Sequence, residues 1–116
     1  MRVLIVLFIC LLFVVGCSRP RGTVLGKAPK GESRTILAVR DGTTPPDVVL
    51  RGVMVEKCPT AGCWFRLSDG TGTLKVDTKN AGFVVVDVPL QSTVLVAGKV
   101  VADGNEVLLE ATGVRY

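Results

Sequence analysis

From residue 47 onward the chain is a succession of short valine-rich runs separated by turn residues, and this pattern restricts the fold more than any other feature. The runs cover residues 48–57, 64–68, 73–78, 93–101 and 107–114. Branched and aromatic residues of this kind suit a pleated, half-buried surface, so each run reads as a strand. Asp69-Gly70-Thr71-Gly72 and Asp103-Gly104-Asn105 supply the turn chemistry of tight hairpins. Five strands in so short a stretch favour an all-β, closed or nearly closed barrel, because closure removes strand edges that would otherwise aggregate. Gly52, inside the first run, predicts a bulge or bend that lets one strand serve both halves of the barrel. Upstream, residues 33–40 (Ser-Arg-Thr-Ile-Leu-Ala-Val-Arg) predict a short helix capped by Ser33 and stopped by Asp41-Gly42 and Pro45-Pro46. Residues 79–90 are too β-branched for a good helix.

Certain residues carry a resemblance. Val49-Leu50-Arg51-Gly52, then Trp64-Phe65-Arg66-Leu67-Ser68-Asp69-Gly70 with Val76-Asp77, then Val94-Leu95-Val96-Ala97-Gly98-Lys99-Val100 resemble the periplasmic bacterial OB-fold proteins. The element Cys58-Pro-Thr-Ala-Gly-Cys63-Trp64, with Gly82-Phe83 downstream, is closer still to a family of small exported OB-like lipoproteins. The resemblance spans roughly residues 33–116 and implies a five-stranded Greek-key OB-like barrel in the cell envelope, without implying an activity. It departs from the usual OB pattern at 79–90, where a helix ordinarily joins the third and fourth strands.

The N-terminus speaks to location. Met1-Arg2 is a short positive segment, and Val3 to Val15 is an unbroken apolar run. A spanning helix needs about 20 apolar residues and a signal-peptide core about 7–15. The run ends in Val14-Val15-Gly16-Cys17, which resembles the bacterial lipobox. That resemblance implies cleavage after residue 16 and lipidation of Cys17, with Ser18 mildly favouring the outer membrane. Domain boundaries follow: a signal peptide at 1–16, a lipidated cysteine and basic flexible tether at 17–32, and the barrel at 33–116.

Charge is unevenly distributed. Residues 18–40 carry six basic residues against one acid, whereas 41–116 carry seven basic against nine acidic. Residues 18–32, rich in Gly and Pro, read as a flexible tether spanning roughly 20 Å. Its cations either attract an anionic membrane surface, at about 1 kcal/mol each, or merely solvate a spacer. A mildly acidic body argues against nucleic acid as a partner. The expected partners are the membrane, through Cys17, and a small ligand or another envelope protein.

Cys58 and Cys63 are the two thiols of the predicted barrel, and four residues separate them at a turn between strands. A disulfide is the preferred reading: hairpin residues come within the ~4.4–6.8 Å Cα separation it needs, and exported domains sit in oxidising compartments. It would contribute about 2 kcal/mol on the loop-entropy model. A near-linear Cu(I) site and a redox-active pair are the alternatives. Zinc fits poorly, since it takes four ligands and the chain has no His. No resident cofactor is indicated.

Strand alternation turns Phe65, Leu67, Leu74 and Val76 inward and leaves Trp64, Arg66 and Lys75 together on an outer face. An aromatic plate beside two cations could stack a ring and hold an anion. Equally, Trp64 could simply cover Cys63 while the charges solvate the barrel. No nucleophile elbow, phosphate loop or metalloprotease helix occurs, and Asp69-Gly-Thr-Gly reads as a turn, so a non-catalytic role is expected.

Overall fold

A computed structural model describes residues 22–116. The signal segment and Cys17 lie outside the described residues. Two short strands, β1 (Val24–Gly26) and β2 (Ser33–Arg34), and a helix, α1 (Ile36–Arg40), precede five longer strands. These are β3 (Asp47–Lys57), β4 (Trp64–Ser68), β5 (Thr73–Asp77), β6 (Thr93–Asp103) and β7 (Glu106–Arg115). No helix among the described residues is long and apolar enough to cross a membrane.

The five long strands close on themselves. β3 pairs antiparallel with β4 on one edge and with β6 on the other, β4 pairs with β5, and β6 with β7. The ring is completed by a parallel pairing of β5 with β7, through Val76 with Leu109 and Asp77 with Glu110. This order, with a parallel closure between the third and fifth barrel strands, is the five-stranded Greek-key arrangement of an OB-like barrel. Alternation fills its interior: Leu50, Met54, Phe65, Leu67, Leu74, Val76, Val94, Val96, Leu109 and Val114 are all fully buried.

The strand that serves both halves is β3. Its residues 47–53 pair with β6 and, from Val53 onward, it pairs with β4. The bulge expected at Gly52 falls instead between Met54 and Glu56. Gly52 has a different role: a Cβ there would lie 2.5 Å from the Ser68 carbonyl oxygen, so glycine permits the close approach at which β3 changes partner.

The expected helix is shorter than 33–40. Ser33 and Arg34 pair in parallel with Val49 and Leu50, and Thr35 caps the helix by accepting from the Ala38 N–H at 3.1 Å. Ile36 and Val39 face the core and seal one end of the barrel. Asp69, in the β4–β5 turn, binds this helix down. Its carboxylate accepts from the Ile36 N–H at 2.8 Å, and from the N–H (2.9 Å) and hydroxyl (2.7 Å) of Thr71. Partial burial raises its pKa, but these donors outweigh it and hold the carboxyl below the ordinary range. The unfolded chain takes up a proton near pH 3.9, so the stabilisation is complete above about that pH and is lost as pH falls through the lower native value. Asp69→Ala should cost about 1–3 kcal/mol, the penalty of leaving helix donors unpaired. Urea denaturation at pH 7 and pH 3 should show the cost shrinking in acid; an equal cost at both would exclude this role.

Between β5 and β6, residues 78–92 form turns and no helix. Val85 and Val88 point inward and are fully buried, which closes the barrel where OB folds usually carry a helix. The Lys57 ammonium donates to the carbonyls of Val86 (2.9 Å) and Val88, fixing this connection to β3.

The basic segment departs from its expected form. Val24, Leu25 and Gly26 pair antiparallel with Arg115, Val114 and Gly113, and Thr23 and Tyr116 exchange backbone hydrogen bonds of 3.1 and 2.9 Å. β1 thereby covers the stretch of β7 that β5 leaves unpaired, which is reason enough for it to order. The barrel domain therefore includes residues 23–32, and at most five residues separate Cys17 from the paired Thr23. Even fully extended, that link spans no more than roughly 20 Å. Lys27, Lys30 and Arg34 consequently belong to the folded body, where they line a hollow of about 690 Å³ beside Asp47, Val48 and Val49.

Candidate functional site

Two features meet at β4: an aromatic–cationic face and the cysteine loop at its start. The face follows from register. Arg66 lies directly opposite Lys75 in the β4–β5 ladder, and Trp64 opposite Asp77. Phe65, Leu67, Leu74 and Val76 are fully buried on the inner side, which fixes Trp64, Arg66 and Lys75 outward. The Lys75 ammonium lies 5.5 Å from the centroid of the Trp64 ring and the Arg66 guanidinium carbon 6.0 Å from it. Both distances are within cation–π range.

The charges are not equivalent. Arg66 Nε is 3.4 Å from Glu56 Oε2, its cross-strand neighbour on β3, whereas Lys75 makes no ion pair among the described residues. Like charges directly opposite one another in a ladder are unfavourable. Trp64, beside both cations, and Glu56, beside Arg66, oppose that cost.

The loop between β3 and β4 is tightly held. The Cys58 N–H donates to the Trp64 carbonyl at 3.0 Å, and the Thr78 N–H to the Cys63 carbonyl at 2.9 Å. Gly62, at a φ of 59°, offers its carbonyl to the Val85 N–H (2.9 Å) and the Thr78 hydroxyl (3.2 Å). A Cβ on Gly62 would lie 2.7 Å from the Val86 nitrogen, so only glycine lets the loop pack onto the 78–92 connection.

Cys58 and Cys63 are both partly exposed free thiols in the structure. Cys63 lines a hollow of about 410 Å³ with Ala61, Thr78, Lys79, Gly82 and Phe83. Hydrogen bonds from the backbone of Ala61, then of Thr60, and from the Thr60 hydroxyl push the Cys58 thiol down from 9.0 to about 6, against the opposing effect of burial. The Thr60 hydroxyl is 3.7 Å from the sulfur. The signal was only faintly present in the sequence, as a short Pro-Thr-Ala-Gly turn after Cys58. Among the described residues, no group of three or more His, Cys, Asp or Glu side chains converges.

In an OB fold the second and third barrel strands and the loop between the first two strands are the usual ligand surface. Here these are β4, β5 and loop 58–63. Topology and register thus make this an OB-like barrel. A solved structure, that of the hypothetical protein ygiW from E. coli, matches it with a TM-score of 0.55 at 24% sequence identity, over 76% of this chain and 94% of that one. The likeness is one of fold. No family model matches the chain, and no curated protein does.

Proposed function

We propose that the chain is a lipid-anchored envelope protein whose OB-like barrel binds a ligand, without catalysis, on the face formed by Trp64, Arg66 and Lys75. The observation that carries this reading is the pairing of two cations across one ladder beside a single Trp ring. A strand pair gains nothing in stability from opposed like charges, but an anionic group with a planar ring would meet both its needs there: the ring stacks on Trp64 and the anion meets Lys75. The anchor is Cys17, following the lipobox-like Val14-Val15-Gly16, and Ser18 favours the outer membrane. The nearer partner is then the membrane, and the second a small aromatic anion or an envelope protein that presents one.

Trp64 is the only Trp in the chain, so its fluorescence reports occupation of this face without a label. Titration with phenyl phosphate, the simplest molecule combining a ring with an anion, should produce a saturable change. Inorganic phosphate alone should compete weakly.

A further inference from the structure

Residues 27–32 carry the chain from β1 to β2, and they are fixed to the barrel along their length. The Lys27 N–H donates to the Thr112 carbonyl at 3.0 Å. A Cβ on Gly113 would collide with the Lys27 carbonyl, so glycine there lets the link lie against β7. Pro29 is buried, and Gly31 turns the chain toward β2 at a φ of 99°. This link borders the hollow of about 690 Å³, a volume within the range of small-molecule sites. Val48, Val49 and Ala97 give the hollow an apolar lining, and Lys27, Lys30 and Arg34 line it together with Glu32 and Asp47. Among the described residues, the cations with side-chain hydrogen bonds are Arg40 and Lys57, and the one in an ion pair is Arg66. Lys27, Lys30 and Arg34 are thus left without a protein partner there.

We propose that this hollow is a binding site for a phosphate ester. Over residues 27–34 cations outnumber carboxylates three to one. Asp47, on the β3 side, stands directly opposite Lys99, which it shares with Glu110 of β7. The positive charge without a counter-charge is therefore that of the link and β2. A phosphate offers several oxygens, so it can meet more than one cation at once, and Arg34 can bind it through two N–H groups. The carbon side of the ester then has Val48, Val49 and Ala97 to lie against. The same chemistry is presented by the headgroup of an anionic lipid and by a small soluble phosphate ester. The lipid is the nearer source when Cys17 carries the anchor, since at most five residues separate it from the paired Thr23 and Lys27 follows four residues on. Basic pockets next to a bilayer hold headgroups in this way. The choice of the lipid rests on the proposed anchoring, whereas the site itself does not.

The test uses the full chain, isotopically labelled and held in neutral maltoside micelles, with the backbone amides read by NMR. Glycerol 3-phosphate is titrated in one arm, and phosphatidylglycerol is added to the micelles in the other. At least one of them should shift the amides of the link and of Ala97 and Gly98 in a saturable way. In the double variant Lys27→Gln with Lys30→Gln the affinity should fall at least about tenfold, from the loss of two charge-assisted contacts. The double variant Arg51→Gln with Lys79→Gln loses the same charge away from the hollow and should bind as the wild type does. All four side chains are exposed, so both variants should keep the wild-type melting temperature; Lys30→Gln alone is the second variant should the first fail to fold. Saturation by phosphatidylglycerol alone, or at far lower concentration, assigns the site to a headgroup, and equal affinities assign it to a soluble ester. Either result leaves attachment through Cys17 to be judged by fractionation. No saturable shift at the hollow in either arm, shifts confined to β4 and β5, or equal weakening in the two double variants would each overturn the proposal.

Discussion

Phe65→Ala should destabilise the protein by about 3–5 kcal/mol, the usual cost of removing a large aromatic from a closed core. Among the described residues Phe65 is the largest fully buried side chain, and it stands between Trp64 and Arg66, both outward. Domains of this kind have only about 5–15 kcal/mol in all, so the variant should sit near its unfolding midpoint in mild denaturant. Its neighbour should behave differently. Trp64 is half-buried on the outer face, and Trp64→Ala should cost clearly less than Phe65→Ala. Urea denaturation of the two variants side by side measures the alternation directly. A loss below about 1 kcal/mol for Phe65→Ala would mean that β4 does not face the core as described.

Cys17→Ser should abolish lipid-mediated attachment to the membrane. Two or three acyl chains hold a protein firmly, at about 0.8 kcal/mol for each buried methylene, and nothing replaces them once the acceptor sulfur is gone. Fractionation of producing cells should move the protein from the membrane pellet into the soluble fraction, or leave it uncut with its apolar segment attached. A fully processed Cys17→Ser protein still held at the membrane would contradict the anchor. The short link between Cys17 and the paired Thr23 adds a geometric consequence. With at most five intervening residues, the lipidated barrel would lie close to the bilayer, with Lys27, Lys30 and Arg34 on its folded surface.

The barrel was legible because its strands are local and strongly patterned. The run at 64–68 coincides with β4, and those at 73–78 and 107–114 match β5 and β7 to within a residue at either end. The turns at Asp69 and at Gly104-Asn105 were marked by their residues. What stayed hidden depends on contacts distant in sequence. β1 is three residues, Val-Leu-Gly, within a Gly-, Pro- and Lys-rich stretch, and it exists as a strand only because β7 has an unpaired edge at 113–115. Its composition alone reads as a tether. Likewise Ser33 and Arg34 become a strand through Val49 and Leu50, which shifts the helix cap to Thr35.

The candidate site divides in the same way. Period-two alternation was sufficient to put Trp64, Arg66 and Lys75 on one face, because β4 and β5 are adjacent and joined by a tight turn. The direct opposition of Arg66 and Lys75, and the Glu56 that relieves only one of them, needed the register. For Cys58, spacing alone suggested a bond to Cys63, whereas the donors that lower its pKa come from the conformation of the backbone between them.

The claim on which the account rests is that the outer face of β4 and β5 holds a ligand, and the fluorescence of Trp64 tests it most directly. Wild-type protein and Lys75→Ala should be titrated with phenyl phosphate after their melting temperatures have been shown to agree. The wild type should show a saturable change and Lys75→Ala an affinity at least about tenfold weaker, the loss of one charge-assisted contact worth roughly 1.4 kcal/mol or more. No saturable change in the wild type, or the same affinity in both proteins, would contradict it.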